Sequence, residues 1–176
     1  MHTSALKALL IASATLLFAV PQASAEPAYS KAEVLDFLVS SADLGKARGI
    51  CIGTAQECRK DDVKPRGFDM MINFNLDSAE LTDEALENLN VFANALQDQR
   101  LNAATFVVEG HTDASGTEAH NDELASRRAD SVKSFLLSSG VSPERLTAIG
   151  LGESQPRTDD PYSAENRRVE MRLKLQ

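Results

Sequence analysis

Residues 105–129 read TFVVEGHTDASGTEAHNDELASRRA, and this stretch decides the fold. The run at 105–109 is apolar on both sides, which is typical of a strand in the interior of a sheet. The following residues, 110–116, are rich in turn formers. A helix is then predicted over 119–138, ended by Gly140, a residue type that commonly terminates helices. A buried strand that leads through a polar loop into a helix indicates an α/β arrangement.

The flanking segments supply the other elements of this fold. Alternating apolar residues over 70–76 predict a strand, and Thr82 is a good N-cap for an amphipathic helix behind it. Residues 146–150 indicate a third strand. In 167–175, apolar and charged residues alternate, which predicts a final, half-exposed strand. The order predicts an α/β fold of the two-layer α+β sandwich type, with a mixed four-stranded sheet and helices on one face.

The first 25 residues have the pattern of a secretory signal peptide. Lys7 is the only charged residue before Glu26, an apolar run follows it, and residues 23–25 (ASA) form a small-residue cleavage signal. The apolar run is too short to span a bilayer. No cysteine lies at the cleavage site, so no lipid anchor is expected there. The sequence predicts export to the periplasm of a Gram-negative envelope, without direct membrane insertion.

Residues 26–66 are predicted to form an N-terminal extension, and 67–176 the main domain. The extension opens with a capping box at 30–33 and one short amphipathic helix. Cys51 and Cys58 are expected to form a disulfide, because two thiols in an oxidising periplasm usually pair. One helix and a small loop cannot bury a core alone, so the extension should pack against the main domain or a partner.

The net charge argues against two classes of partner. Removing Lys7 from the 18 Lys and Arg leaves 17, against 26 Asp and Glu, a net charge of −9 for residues 26–176. An acidic chain repels nucleic acid and anionic lipid. Neither is expected as a partner, and no motif implies a cofactor.

Two charged residues stand out around the central loop. Asp113 follows the predicted strand end, where α/β proteins often carry their sites. Arg128 lies four residues from both Leu124 and Val132, on the apolar face of the helix, whereas Arg127 shares the polar face. A buried cation needs an anion. The inward position of Arg128 therefore indicates a structural ion pair with Asp113, a ligand site, or an ion pair that gives way when a ligand binds.

Five motifs in order resemble the OmpA-like C-terminal domain, the peptidoglycan-binding module also found in peptidoglycan-associated lipoproteins and flagellar stator proteins. The resemblance covers residues 67–176. The motifs are FNLDSAEL at 74–81, EGHTD at 109–113, Asn121 with LASRRA at 124–129, GLGE at 150–153 and NRRV at 166–169.

The resemblance implies non-enzymatic binding of diaminopimelate, the stem-peptide residue with a free ammonium and carboxylate, and tethering of the cell wall to an envelope component. Asp113 would accept hydrogen bonds from the ammonium, and Arg128 would donate to the carboxylate. The remaining matched positions would contribute backbone groups, shape the pocket or brace its rim: Leu76, Asp77, Asn121, Leu124, Arg167 and Arg168. Two departures from the family pattern, Ala125 and Asn75–Leu76, leave the charged pair intact.

Two other functions stay open. Glu109, His111 and Asp113 alternate at a strand end and would suit acid/base or metal chemistry, but no second catalytic or metal motif accompanies them. We therefore do not expect an enzyme. The second alternative is a scaffold whose extension, 26–66, binds another envelope protein while the pocket is idle. The sequence does not decide whether the chain forms a homodimer.

Overall fold

The computed structural model describes residues 27–46, 67–72, 74–75 and 77–174. The predicted signal peptide, the Cys51–Cys58 pair and Leu76 lie outside these residues. The helices of the described part are α1 (Lys31–Lys46), α2 (Asp83–Leu96) and α3 (Glu118–Ser138), with short 3-10 turns at Gln99–Leu101, Pro143–Arg145 and Ala164–Asn166. Its strands are β1 (Phe68–Asp69), β2 (Phe106–Gly110), β3 (Leu146–Gly150) and β4 (Val169–Leu173).

The strands form one mixed sheet in the order β1-β4-β2-β3. Strands β2 and β3 are parallel, and β4 is antiparallel to both β1 and β2. The ends of β1, β2 and β3 therefore meet the start of β4 at one edge, where Gly110 pairs with Gly150 and Val169. The predicted α/β fold with a mixed four-stranded sheet is confirmed, and the loops that leave this edge can build a common site.

The strand predicted over 70–76 is wrong. Strand β1 is restricted to two residues, and Met71 has a φ of 49°, a left-handed conformation outside the range of regular strand residues. The alternation of the sequence instead reflects burial in an irregular segment, with Met70 and Ile72 buried and Met71 exposed. After β1 the chain leaves the sheet and becomes a loop at the edge described above.

Strand β4 is buried rather than half exposed as predicted. Glu170 lies directly opposite Glu109 on β2, and two like charges in such positions repel. Arginines neutralise both: Glu170 accepts hydrogen bonds from Arg168 at 2.6 Å, Arg157 at 3.0 Å and Arg172 at 2.8 Å, and Arg172 also binds Glu109. This ion-pair network allows charged strand residues to be buried, because each charge has an opposite partner.

The helix starts and ends follow the local sequence. At α1, the Ser30 backbone N–H donates to the Glu33 carboxylate at 2.7 Å, and the Glu33 N–H donates to the Ser30 hydroxyl at 3.3 Å, so the predicted capping box is present. At α2, the Thr82 hydroxyl accepts from the Ala85 N–H at 3.2 Å. After α3, Gly140 adopts a φ of 95°, which ends the helix at low steric cost.

Helix α1 packs into the same core as the sheet. Val34 and Leu38 are fully buried. Just before the helix, the Tyr29 ring packs edge-on against Phe92 with centroids 5.2 Å apart, and its hydroxyl donates to the Met70 carbonyl at 2.6 Å. Tyr29, Val34, Leu35 and Leu38 thus belong to the same hydrophobic core as the predicted main domain. In the described part of the chain, none of the helices combines the length and apolar character that crossing a bilayer requires.

Asn88 on α2 joins the N-terminal segment to the loop after β1. It is buried, its side-chain oxygen accepts from the Ala28 N–H at 2.8 Å, and its amide donates to the Met71 carbonyl at 2.9 Å. Asn88→Ala should lower the free energy of unfolding by about 1–3 kcal/mol, because two backbone groups lose their partner. Urea unfolding measures this loss. Asn90→Ala, at an exposed position of the same helix, is the matched control, and an equal loss in both variants would contradict the prediction.

Candidate functional site

An open cleft of about 590 Å³ lies at the sheet edge where the strand ends meet. Its walls come from the loop after β1, the loop after β2, the first half of α3 and the residue two positions before β4. The lining combines apolar and polar groups with charges of both signs: Phe74, Asn75, Asp77, Thr112, Asp113, Ser115, His120, Asn121, Leu124, Arg128 and Arg167.

Six of the eight predicted ligand positions line this cleft: Asp77, Asp113, Asn121, Leu124, Arg128 and Arg167. Arg168 does not line it. Its side chain is buried against Glu170, and its backbone carbonyl accepts from the His111 N–H at 2.9 Å, so it braces the loop after β2. Leu76 lies outside the described residues. The structure therefore brings most of the predicted set together at one place.

The cleft depends on a close approach of α3 to the ends of β2 and β3. A Cβ atom on Gly110 would lie 2.2 Å from the Ala125 carbonyl oxygen, and one on Gly150 would lie 2.3 Å from the Ser126 hydroxyl. Glycine at both strand ends permits this approach, which carries Arg128 to the cleft wall. Ala125 is fully buried and does not line the cleft, so the departure from the family pattern at this position concerns helix packing.

Asp113 is held in the cleft by its own loop and by an ion pair. It is 6% exposed, one carboxylate oxygen accepts from the Ser115 N–H at 3.0 Å, and the other pairs with Arg167 at 2.5 Å. Burial by itself would raise the pKa of Asp113, but the hydrogen bonds from Arg167 and Ser115 outweigh it and hold the pKa below its usual value. Asp113 is therefore an anion at neutral pH.

The ion pair between Arg128 and Asp113, one of the alternatives that the sequence left open, is not formed in the structure. Arg128 instead donates from Nε to the Ser78 carbonyl at 2.9 Å and from Nη2 to the Asn75 carbonyl at 3.4 Å. Its guanidinium carbon lies 4.9 Å from the centroid of the Phe74 ring, within the range of a cation–π contact. The loop after β1 thus supplies backbone oxygens and an aromatic face to Arg128, and these groups carry no negative charge.

Arg128 is a buried cation that no carboxylate of the described residues neutralises at ion-pair distance. It is 6% exposed. Burial lowers the pKa of Arg128, and the positive charge of Arg167 lowers it further, while Asp77 and Asp113 act in the opposite direction. A buried charge without a counter-ion is unfavourable. The cleft therefore favours an anionic ligand group beside Arg128. A cationic ligand group could bind Asp113 if it replaced Arg167 as the ion-pair partner.

Asn121 and Asp77 organise the two sides of the cleft. The Asn121 amide donates to the Asp113 carbonyl at 3.1 Å and to the Glu153 carboxylate at 2.5 Å, which ties α3 to the loops after β2 and β3. On the other side, Asp77 is largely exposed and lies 3.0 Å from Nε2 of His120. Asn121 is thus a positioning residue for the Asp113 loop, and Asp77 belongs to the solvent-facing rim.

Five residues that line the cleft were not among the site residues predicted from the sequence: Phe74, Asn75, Thr112, Ser115 and His120. Phe74 was assigned to a strand, and its alternating pattern gave no sign of a loop that faces a site. The Ser78 carbonyl has no side-chain signature that a sequence could reveal. His120 could have been found, because it lies four residues before Leu124 and so shares its face of α3.

Glu109, His111 and Glu170 form a buried cluster, with one potential ligand atom from each within 4.8 Å of the others. His111 is 1% exposed, and neither ring nitrogen has a hydrogen-bond partner among the described residues. The carboxylates, however, already accept hydrogen bonds from Arg168 and Arg172, which occupy the lone pairs a cation would need and balance the charge. The donor set does not fit a metal ion.

Because His111 is buried, we expect the folded protein to lose stability below pH 6.5. Burial, and then the positive charge of Arg168, lowers the pKa of His111 from 6.5 to about 4 in the folded protein. The unfolded imidazole binds a proton near pH 6.5 and the folded one only near pH 4, so acid favours the unfolded chain. The free energy of unfolding should fall by about 3 kcal/mol between pH 6.5 and pH 4.

Urea unfolding at several pH values checks this prediction, with His111→Asn as the variant that cannot titrate. The informative range lies above pH 5, because the pKa of Glu170 is lowered to about 2 by its arginine partners despite burial, and Glu170 contributes at lower pH. The unaltered protein should lose stability from pH 6.5 to pH 5, and the variant should lose less. Identical slopes in this range would contradict a neutral, buried imidazole.

The sheet and the edge cleft define a small α/β domain whose potential site lies at the ends of its strands. A family model described as the OmpA family matches residues 73–170. Since the match covers more than half of the 176 residues, the chain belongs to the OmpA family, and the resemblance seen in the sequence is confirmed.

The chain is similar to proteins named for peptidoglycan. It is 40% identical over 102 residues to a peptidoglycan-associated lipoprotein of Pseudomonas putida, a match that covers 56% of this chain and 60% of that protein. The crystal structure of the peptidoglycan-associated lipoprotein from Burkholderia pseudomallei superposes with a TM-score of 0.52 at 27% identity, over 58% of this chain and 88% of that one. The crystal structure of the C-terminal domain of Helicobacter pylori MotB superposes with a TM-score of 0.51 at 26% identity, over 60% of this chain and 83% of that one.

Proposed function

We propose that this protein binds peptidoglycan non-covalently and links the cell wall to another component of the envelope. One observation carries the proposal: a buried Arg128, which has no carboxylate partner among the described residues, shares a cleft with an ionised Asp113. Relatives by sequence and by structure are named peptidoglycan-associated lipoproteins, which supports the same reading. No reaction is proposed for this cleft.

The ligand group that best fits these charges is the free end of diaminopimelate. Its carboxylate would accept hydrogen bonds from Arg128, and its ammonium would donate to Asp113 in place of Arg167. Phe74 and Leu124 would contact the methylene chain between the charged ends. Charge-assisted contacts contribute about 1.5–3 kcal/mol each, so a single stem peptide would be held weakly. Firm retention would come from many stem peptides on one polymer.

The proposal also covers export of the protein and the partner of its N-terminal extension. A signal peptide over residues 1–25 would deliver the protein to the periplasm, where Cys51 and Cys58 would pair. Tyr29, Val34, Leu35 and Leu38 of the extension pack into the domain core, so a partner of the extension would contact the exposed face of α1 or the chain that follows it. The other end of the tether is proposed to be an outer-membrane or other envelope protein.

Co-sedimentation with purified sacculi tests the proposal. The protein without residues 1–25 is mixed with diaminopimelate-type sacculi and with lysine-type sacculi, whose stem peptides carry the ammonium but lack the neighbouring carboxylate. We expect the protein to pellet with the first and to stay largely in solution with the second. Equal pelleting would overturn recognition of diaminopimelate, and no pelleting with either would overturn peptidoglycan binding.

A further inference from the structure

A second cavity of about 220 Å³ adjoins the cleft, and we call it the arginine pocket. Phe74, Arg128 and Arg167 line both cavities, so the two are contiguous. Among the described residues, no acidic side chain belongs to the lining of the arginine pocket, which consists of Ile72, Phe74, Arg128, Ala164, Arg167 and Arg168. Three of the six lining residues are arginines, and the space is too small for a folded partner but large enough for an anionic group.

The three arginines of this pocket are not equivalent. Arg168 is fully engaged, because it donates to Glu170 at 2.6 Å and to the carbonyls of Asn166 and Gln155 at 3.3 and 3.2 Å. Arg167 is paired with Asp113, and Arg128 binds backbone carbonyls. Arg168 is thus neutralised by Glu170, Arg167 is paired with Asp113, and Arg128 has no carboxylate partner in the part of the chain that the structure describes.

Binding of a ligand ammonium to Asp113 would change the charge balance of the arginine pocket. A ligand ammonium on Asp113 would take the position of Arg167, whose side chain is 50% exposed and so is not enclosed by the protein. The site then contains two guanidinium groups without an anion, Arg128 and Arg167. One ligand carboxylate on Arg128 leaves Arg167 unpaired in the contiguous arginine pocket, where a second carboxylate would neutralise it.

We infer that the arginine pocket binds a second carboxylate of the same stem peptide, one that lies next to the diaminopimelate residue along the chain. This inference rests on the proposed function. In a stem peptide whose D-glutamate is linked through its side chain, the free α-carboxylate of that residue is the group with this position and chemistry. The apolar walls formed by Ile72 and Phe74 suit the methylene groups beside it.

Two tripeptides test the inference by isothermal titration calorimetry on the protein without residues 1–25. The first is L-alanyl-γ-D-glutamyl-meso-diaminopimelate, and the second carries a carboxamide in place of the D-glutamate α-carboxylate. Both keep the same diaminopimelate end. We expect the carboxamide form to bind about tenfold more weakly, the effect of losing one charge-assisted contact.

A matched pair of substitutions assigns the effect to the pocket. Ala164 lies exposed on the wall of the arginine pocket. Ala164→Glu would place a carboxylate there, and this variant should bind both tripeptides with similar affinity. Ala164→Gln, of the same size without the charge, should keep the preference for the acid form.

The outcomes separate this inference from the proposed function. Binding of neither tripeptide would overturn both. Equal binding of the two by the unaltered protein would overturn the second carboxylate site and leave diaminopimelate recognition standing. A preference that persists in Ala164→Glu would place the second carboxylate elsewhere and overturn the assignment. Excess acetate should not remove the preference, and if it does, the pocket takes free anions rather than the stem peptide.

Discussion

Asp113→Asn should release the protein from diaminopimelate-type sacculi, with a loss of affinity for a single stem peptide of about tenfold or more. Asparagine keeps an oxygen that can accept from the Ser115 N–H, so the loop after β2 should keep its shape. The substitution removes the negative charge that balances Arg167 and would bind the ligand ammonium. Loss of a charge-assisted hydrogen bond costs about 1.5–3 kcal/mol, and an unpaired positive charge beside the ligand ammonium adds to it.

Co-sedimentation measures the retention, and calorimetry with the tripeptide measures the affinity. Asp130→Asn is the matched control, because it makes the same change of charge at an exposed position of α3 outside the cleft. Far-ultraviolet circular dichroism and urea unfolding establish that both variants are folded. If Asp113→Asn binds as well as Asp130→Asn, Asp113 is a structural partner of Arg167 and has no part in binding.

Arg128→Met should abolish binding without a comparable loss of stability. Methionine fills much of the same space beside Phe74 and removes a cation whose burial is not offset by a carboxylate among the described residues. The carbonyls of Ser78 and Asn75 lose a donor, which opposes this gain. Replacing a buried charge with an apolar side chain is often neutral or stabilising, so the free energy of unfolding should change by no more than about 1 kcal/mol.

The neighbouring residue supplies the control for this variant. Arg127→Met removes the same charge from the exposed face of α3, where Arg127 pairs with Glu123. It should bind the tripeptide as the unaltered protein does. A large loss of stability in Arg128→Met would show that Arg128 serves the fold, and retained binding would show that it does not contact the ligand. The predicted combination, lost binding with retained stability, is typical of a group kept for its ligand.

Asp113 and Arg128 differ in the partners that they have within the protein. Asp113 has an internal cation as its partner, so a ligand ammonium must compete with Arg167. Within the described part of the chain, Arg128 has neutral acceptors only, so a ligand carboxylate competes there with carbonyl groups and not with another anion. The carboxylate of the ligand is therefore expected to contribute more to affinity than the ammonium does, which is the physical reason for expecting discrimination between diaminopimelate and lysine.

The secondary structure was predictable wherever it depends on neighbours in sequence. The central strand, the helix behind it and the caps at Ser30 and Thr82 are set by side-chain spacing and by hydrogen bonds that span three or four residues. The segment over 70–76 was not predictable, because alternation records which side chains are buried and not whether the backbone pairs with another strand. Met71 and its neighbours alternate in burial while lying outside the sheet.

The sequence by itself determined that Arg128 faces inward, since helical spacing places it with Leu124 on the buried side of α3, and that Asp113 follows a strand end. Tertiary structure alone decided the partners. Asp113 pairs with Arg167, 54 positions away, and Arg128 takes the Ser78 carbonyl, 50 positions away. Periodicity reports the direction of a side chain relative to its own element. The distance between two charges depends on how separate elements pack, which no local pattern encodes.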